Sequence, residues 1–167
     1  MRKNMIAMLL CLGASSLIAE NNPHKNHAHH SHHHHQAIQV PANMASPKLS
    51  VQLYKDESSG FNLDIQLENF VLESPHLEGK KQHKFLSGHA HLYINGKKIG
   101  RLYGSMHHLP GKLFKQGANE IEVSLNSHDH RAWSLGENAI AAKITINTEE
   151  KEFLVSSKSS SPLVELK

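Results

Sequence analysis

Apolar and polar residues alternate with a period of two through the middle of the chain. Leu49, Val51 and Leu53 alternate with Lys48, Ser50 and Gln52; Phe61, Leu63, Ile65 and Leu67 alternate with Asn62, Asp64, Gln66 and Glu68. The same pattern returns at Ile121, Val123 and Leu125 between Glu120, Glu122 and Ser124, and again at Ala142, Ile144 and Ile146. Successive side chains of a strand point to opposite faces, so these stretches are predicted as half-buried strands. Asn95-Gly96 separates Leu92-Tyr93-Ile94 from Lys97-Lys98-Ile99 and predicts a two-residue hairpin turn, because both residues tolerate positive φ. Pro110-Gly111 and Gly117 mark further turns. No twelve-residue window carries a helical stripe. The expected fold is therefore all-β: an immunoglobulin-like antiparallel β-sandwich of about seven strands over residues 47–155.

The ends of the chain read differently. Met1-Arg2-Lys3-Asn4 is a short basic start, the next residues form an apolar run, and residues 13–19 are small or apolar before the chain turns polar at Glu20. That is the build of a cleaved export signal over residues 1–19, and the run is too short to span a bilayer stably. A lipid anchor on Cys11 is disfavoured because Leu10, not a small residue, precedes it. Export into a periplasm or out of the cell is expected, with no stable membrane insertion once the signal is removed. Residues 20–46 form a histidine-rich, disordered tail and linker, since they have no apolar periodicity and cannot bury a face. Residues 156–167, opening on a serine-rich run, are expected to be a flexible tail.

Composition adds one anomaly. The chain of 167 residues has 16 histidines against 15 Asp plus Glu, while its formal charge is only +3. So weak and scattered a charge argues against nucleic acid as a partner. The single cysteine excludes a disulfide scaffold and a thiolate zinc site. Half of the histidines lie in the tail: His24, His27, His29, His30, His32, His33, His34 and His35. Flexible imidazoles at this density bind Cu(II), Ni(II) or Zn(II) with poor selectivity, and lose them as pH falls through about 6.5.

The other half are spaced through the β region. His89 and His91 sit at i and i+2 on a predicted strand, hence on one face. His128-Asp129-His130 repeats the spacing after a strand ends, and Met106-His107-His108 follows the hairpin. Three short clusters from different strand ends can converge, so His89, His91, His108, His130, His128, Met106 and His107 are the candidate metal ligands. Neutral imidazole suits copper, zinc and nickel, and the Met106 thioether would favour Cu(I). Asp129 is a candidate oxygen ligand or a partner for an imidazole N–H. His76 and His83 read as ordinary loop residues near Lys80, Lys81 and Lys84, whose charge repels a cation.

The segments GHAHLYINGKKIGRLYG, HHLPG and NEIEVSLNSHDH together resemble a group of small exported bacterial β-sandwich domains. Those domains share a G-H-x-H-x-Y-x-[DN]-G hairpin, an H-[LI]-P turn and an L-N-x-x-D-H segment. The resemblance covers residues 88–146 and matches His89, His91, His108 and His130 to the group's histidines. His107 and His128 fall where other members often lack histidine, and Met106 replaces an expected aromatic residue. The resemblance implies a sandwich fold, export and an association with periplasmic copper handling. No Ser-His-Asp spacing, nucleophile elbow or phosphate loop is present. The expected function is thus a non-catalytic copper carrier, buffer or tolerance factor with a periplasmic exchange partner, copper redox chemistry being the one activity such a site leaves open. Zinc or nickel storage, and an immunoglobulin-like interaction module of the cell envelope, are the alternatives.

Overall fold

A computed structural model describes residues 37–78, 83–150 and 156–161, all within one unit, His33–Lys167. The expected signal, the histidine tract and residues 162–167 lie outside the described residues. Among the described residues twelve strands follow in order: β1 (Ile38–Gln39), β2 (Lys48–Lys55), β3 (Phe61–Glu68), β4 (Phe70–Leu72), β5 (Leu86–Ile94), β6 (Lys97–Leu102), β7 (Met106–Leu109), β8 (Ala118–Asn126), β9 (Trp133–Leu135), β10 (Asn138–Ala139), β11 (Ala141–Asn147) and β12 (Ser156–Ser159). Two single turns of 3₁₀ helix, Pro75–Leu77 and Gly111–Leu113, are the helical elements among the described residues. Among these residues no helix is long and apolar enough to cross a membrane.

The fold is all-β, as the alternation requires, and its strands form three sheets. The largest runs β12-β11-β8-β5-β4, with β6 also paired to β5. A second runs β2-β3-β7, and β1-β9-β10 form a small third. The inward residues of the first two sheets meet in one buried cluster. Leu49, Val51, Leu63 and Ile65 join Leu92, Ile94, Ile121, Val123, Leu125, Ile144 and Ile146. Each such side chain contributes roughly 1.5–3 kcal/mol on leaving water, and all of them except Leu92 and Ile94 are residues picked out by the period of two.

Three features depart from expectation. Strands outnumber the expected seven because β1, β4, β9 and β10 are only two or three residues long, too short to display alternation. Pairing is not wholly antiparallel, since β1–β9 and β4–β5 are parallel. The serine run expected to fray instead forms β12, paired antiparallel to β11. Backbone pairing needs no apolar side chain, and serine hydroxyls add to it here. Ser159 Oγ donates to the Leu49 carbonyl (3.1 Å), and the Leu49 amide donates to Ser161 Oγ (3.1 Å).

Two backbone details fix the placement of the β5 histidines. Asn95 and Gly96 take φ of 52° and 75°, the positive values a tight hairpin turn demands. The register then shifts between Leu92 and Tyr93, so Tyr93 faces Lys98 but His91 faces Arg101. Gly88, at the start of the paired stretch, runs hard against β8: a Cβ there would lie 2.1 Å from the Asn126 carbonyl oxygen. Backbone cannot swing aside as a side chain can. Gly88→Ala is therefore expected to lower stability by about 2 kcal/mol or more, read as a drop in the urea midpoint, and a midpoint equal to wild type would refute this close approach.

Candidate metal centre

β5 is covered on both faces. Ala90, Leu92 and Ile94 point into the core, and His89, His91 and Tyr93 point to the opposite side. His89 pairs across the sheet with Asn126, the last residue of β8, and His91 with Ser124. The turn after β8 therefore begins beside His89 and folds back over it. Hydrogen bonds hold this turn: the His130 amide to the Ser127 carbonyl (2.9 Å), the Ser127 amide to the Arg131 carbonyl (2.9 Å), and Asn126 Nδ2 to the His130 carbonyl (3.3 Å). His130 itself sits at φ 71°, a conformation uncommon for a residue with a Cβ.

The result is a cluster of three imidazoles. His89 Nε2 is 2.9 Å from His91 Nε2 and 3.2 Å from His130 Nδ1. One nitrogen from each ring lies within 4.8 Å of the others, a group that could hold a metal ion. Three nitrogens each about 2.0–2.1 Å from one ion would stand about 3.3 Å apart in tetrahedral geometry, so small side-chain adjustments suffice. His89 and His91 are 0% and 3% exposed, which removes them from the class of solvated sheet-surface histidines.

The electrostatics keep the His89 and His91 rings neutral. His89 is lowered to about 4, first by burial and then by the positive charge of His130, Arg101, His128 and Lys98. His91 is lowered to about 3, first by burial and then by Lys98, His89, His130 and Arg101. Both therefore present the lone pair a metal needs at neutral pH. The Lys98 ammonium already stands 3.1 and 3.2 Å from the two His91 ring nitrogens, and Tyr93 Oη is 3.4 Å from Nδ1. Lys98 is exposed, so its long side chain can withdraw when an ion enters.

The other sequence candidates are held elsewhere. His128 lies beside His89, ring centroids 6.1 Å apart, but its Nε2 faces the Glu73 carboxylate at 3.6 Å. His107 Nε2 donates to the Gly104 carbonyl (2.7 Å), and His108 Nδ1 is 3.3 Å from Asn62 Oδ1 and 4.0 Å from Asp56. Met106 is 60% exposed. These three ride on β7, which pairs with β3 in the second sheet, so they do not join the β5 histidines. Asp129 is engaged by Ser127 Oγ and by Arg131 Nε at 2.7 Å, and serves its own turn. His76 is exposed, whereas His83 does not behave as a plain loop residue: its Nε2 lies 2.9 Å from Glu73 Oε2.

Neither Lys98 nor Glu73 stands out in the sequence. For Lys98 a signal existed, because the Asn95-Gly96 hairpin places it across from Tyr93, on the His91 face. For Glu73 there was none, since it is set by the parallel pairing of β4 with β5, which bonds the Glu73 amide to the Gly88 carbonyl (2.7 Å). Burial pushes the Glu73 carboxyl up, but its polar neighbours Ser87, His83 and His128 together outweigh burial and hold the group below the usual range.

The backbone at His130 yields a test. Glycine adopts positive φ without penalty, so His130→Gly should keep stability within about 1 kcal/mol of wild type while weakening metal binding. Thermal melts together with a metal titration check both halves, and a large loss of stability would mean that the ring, not the ion, holds the turn.

Fold and site together define an all-β protein with a three-histidine group, two of its members buried, that could hold a metal ion. No protein-family model matches the chain, and no curated protein or solved structure matches it significantly.

Proposed function

We propose that this chain is an exported metal-binding protein that carries or buffers copper. The observation behind this reading is the convergence of His89, His91 and His130, two of them buried and held neutral. Three imidazoles leave room for a further ligand on the same ion, the arrangement that lets an ion pass to a partner. The preference for copper rests on the affinity order of nitrogen sites, which places Cu(II) above Ni(II) and Zn(II), and on the resemblance to exported copper-handling domains. Met106 lies outside the group, so the thioether argument for Cu(I) falls away. The basic, then apolar, then small-residue start supports export, and the histidine tract would collect ions that the folded site holds more tightly.

Fractionation of the producing cells tests the location: the mature chain should leave with the periplasmic or secreted fraction and begin at Glu20. Competition of the full chain with chelators of known affinity tests the metal. The reading requires a copper phase tighter than any the chain shows for zinc or nickel. Equal or tighter zinc binding would move the proposal to zinc storage.

A further inference from the structure

Next to the three-histidine group lies a second constellation with its own chemistry. Glu73 is 6% exposed, and each of its carboxylate oxygens faces a different imidazole: Oε2 meets His83 Nε2 at 2.9 Å and Oε1 meets His128 Nε2 at 3.6 Å. The His128 side chain is 8% exposed, and both its ring nitrogens are buried without a hydrogen-bond partner. Leaving such groups unsatisfied costs about 1–3 kcal/mol. A structural carboxylate–histidine pair needs one imidazole, and His83 already supplies it at hydrogen-bond distance. The second ring, aimed at the same carboxylate but too far to bond it well, is unexplained by packing alone.

We infer that His83, Glu73 and His128 form a second metal site for a divalent ion, sharing a wall with the first through the His89 and His128 rings. The ligand set is two imidazole nitrogens and the Glu73 carboxylate, one oxygen toward each ring. Oxygen and nitrogen donors suit Zn(II) or Cu(II) and do not favour Cu(I), which prefers sulfur. An ion placed between Glu73 and His128 would meet the carboxylate and the unpartnered Nε2 together. This extends the proposed function from one ion in the folded domain to two adjacent ions with different donor sets.

The test is a count of Zn(II) per full-length chain after loading and removal of loosely held metal by gel filtration. Whatever the histidine tract retains is common to every variant and cancels. E73Q and H83A should each retain one ion fewer than the native chain, H91A one fewer, and the double variant E73Q/H91A two fewer. His83 is only partly buried, so H83A guards against a variant that fails to fold, and circular dichroism verifies folding of both. A native count in either E73Q or H83A overturns the second site. A double variant that loses no more than H91A also overturns it, since the two groups would then serve one ion. Loss in E73Q and H83A with a native count in H91A would sink the first site and leave the second standing.

Discussion

If the folded site carries copper as proposed, His91→Ala is expected to remove the tightest copper phase of the full-length chain and to weaken binding at the folded site at least ~100-fold. Losing an outer partner of a metal ligand typically costs 10- to 100-fold, and on the proposed function His91 would be a ligand, not a partner. The group offers one nitrogen from each of three rings within 4.8 Å, so removing one leaves two ligands and no enclosed site. The fold should tolerate the change. His91 borders the exposed Lys98 side chain, and its backbone pairing with Arg101 and Ser124 does not involve the ring. His108→Ala is the matched control. It deletes another histidine that the sequence offers as a candidate ligand, yet His108 is bonded to Asn62 on the other sheet and its loss should leave the tight phase intact. Chelator competition followed by copper electron paramagnetic resonance reads both variants. A tight phase that survives H91A would mean that the three-histidine group does not hold it, and an equal loss in H108A would mean that the loss is not specific to that group.

That contrast also shows where sequence alone stops being informative. Period-two alternation found Leu49, Val51, Ile65, Val123 and Ile144 because burial of one face is a local property of a strand. The same rule put His89 and His91 on one face. His130 was reachable because its turn directly follows β8, which neighbours β5 across the sheet. His108 was not separable from these by any local signal. Its motif lies close in sequence, but β7 leaves the β5–β6 hairpin to pair with β3, and which sheet a four-residue strand joins is decided by long-range packing. Glu73 was hidden for a related reason. A three-residue parallel strand carries no alternation, so nothing local reports that β4 lies beside Gly88. The serines of β12 were hidden by chemistry, since hydroxyls bonding the Leu49 backbone look in sequence like solvated residues.

Acid should separate the two histidine populations and destabilise the fold in the same pH window. An ordinary imidazole has a pKa of about 6.5, so at pH 5.5 about nine-tenths of the tract histidines would carry a proton and release copper. His89 and His91 stay neutral to about 4 and about 3, so protons compete poorly for their lone pairs there. Copper is therefore expected to leave in two steps on dialysis through a pH series: a loosely held fraction near pH 6 and a tight fraction only below about pH 5. Stability follows from the same shifts. Both pKa values are depressed in the folded state. Above about 6.5 neither state binds the protons and the stabilisation is fully present. As pH falls below 6.5 the unfolded chain takes up protons that the folded chain refuses. Stability then declines toward the folded values, by up to about 1.4 kcal/mol per pH unit for each histidine. The lowered carboxyls of Asp56, Glu73 and Asp129 add their loss only at more acid pH, below their ordinary values of 3.8 to 4.5. The interval from 6.5 to about 4.5 thus reports mainly the buried imidazoles. Urea midpoints measured in chelator should slope downward there for wild type and more gently for H91A. Equal slopes, or a single copper release near pH 6, would show that the buried histidines titrate like those of the tract.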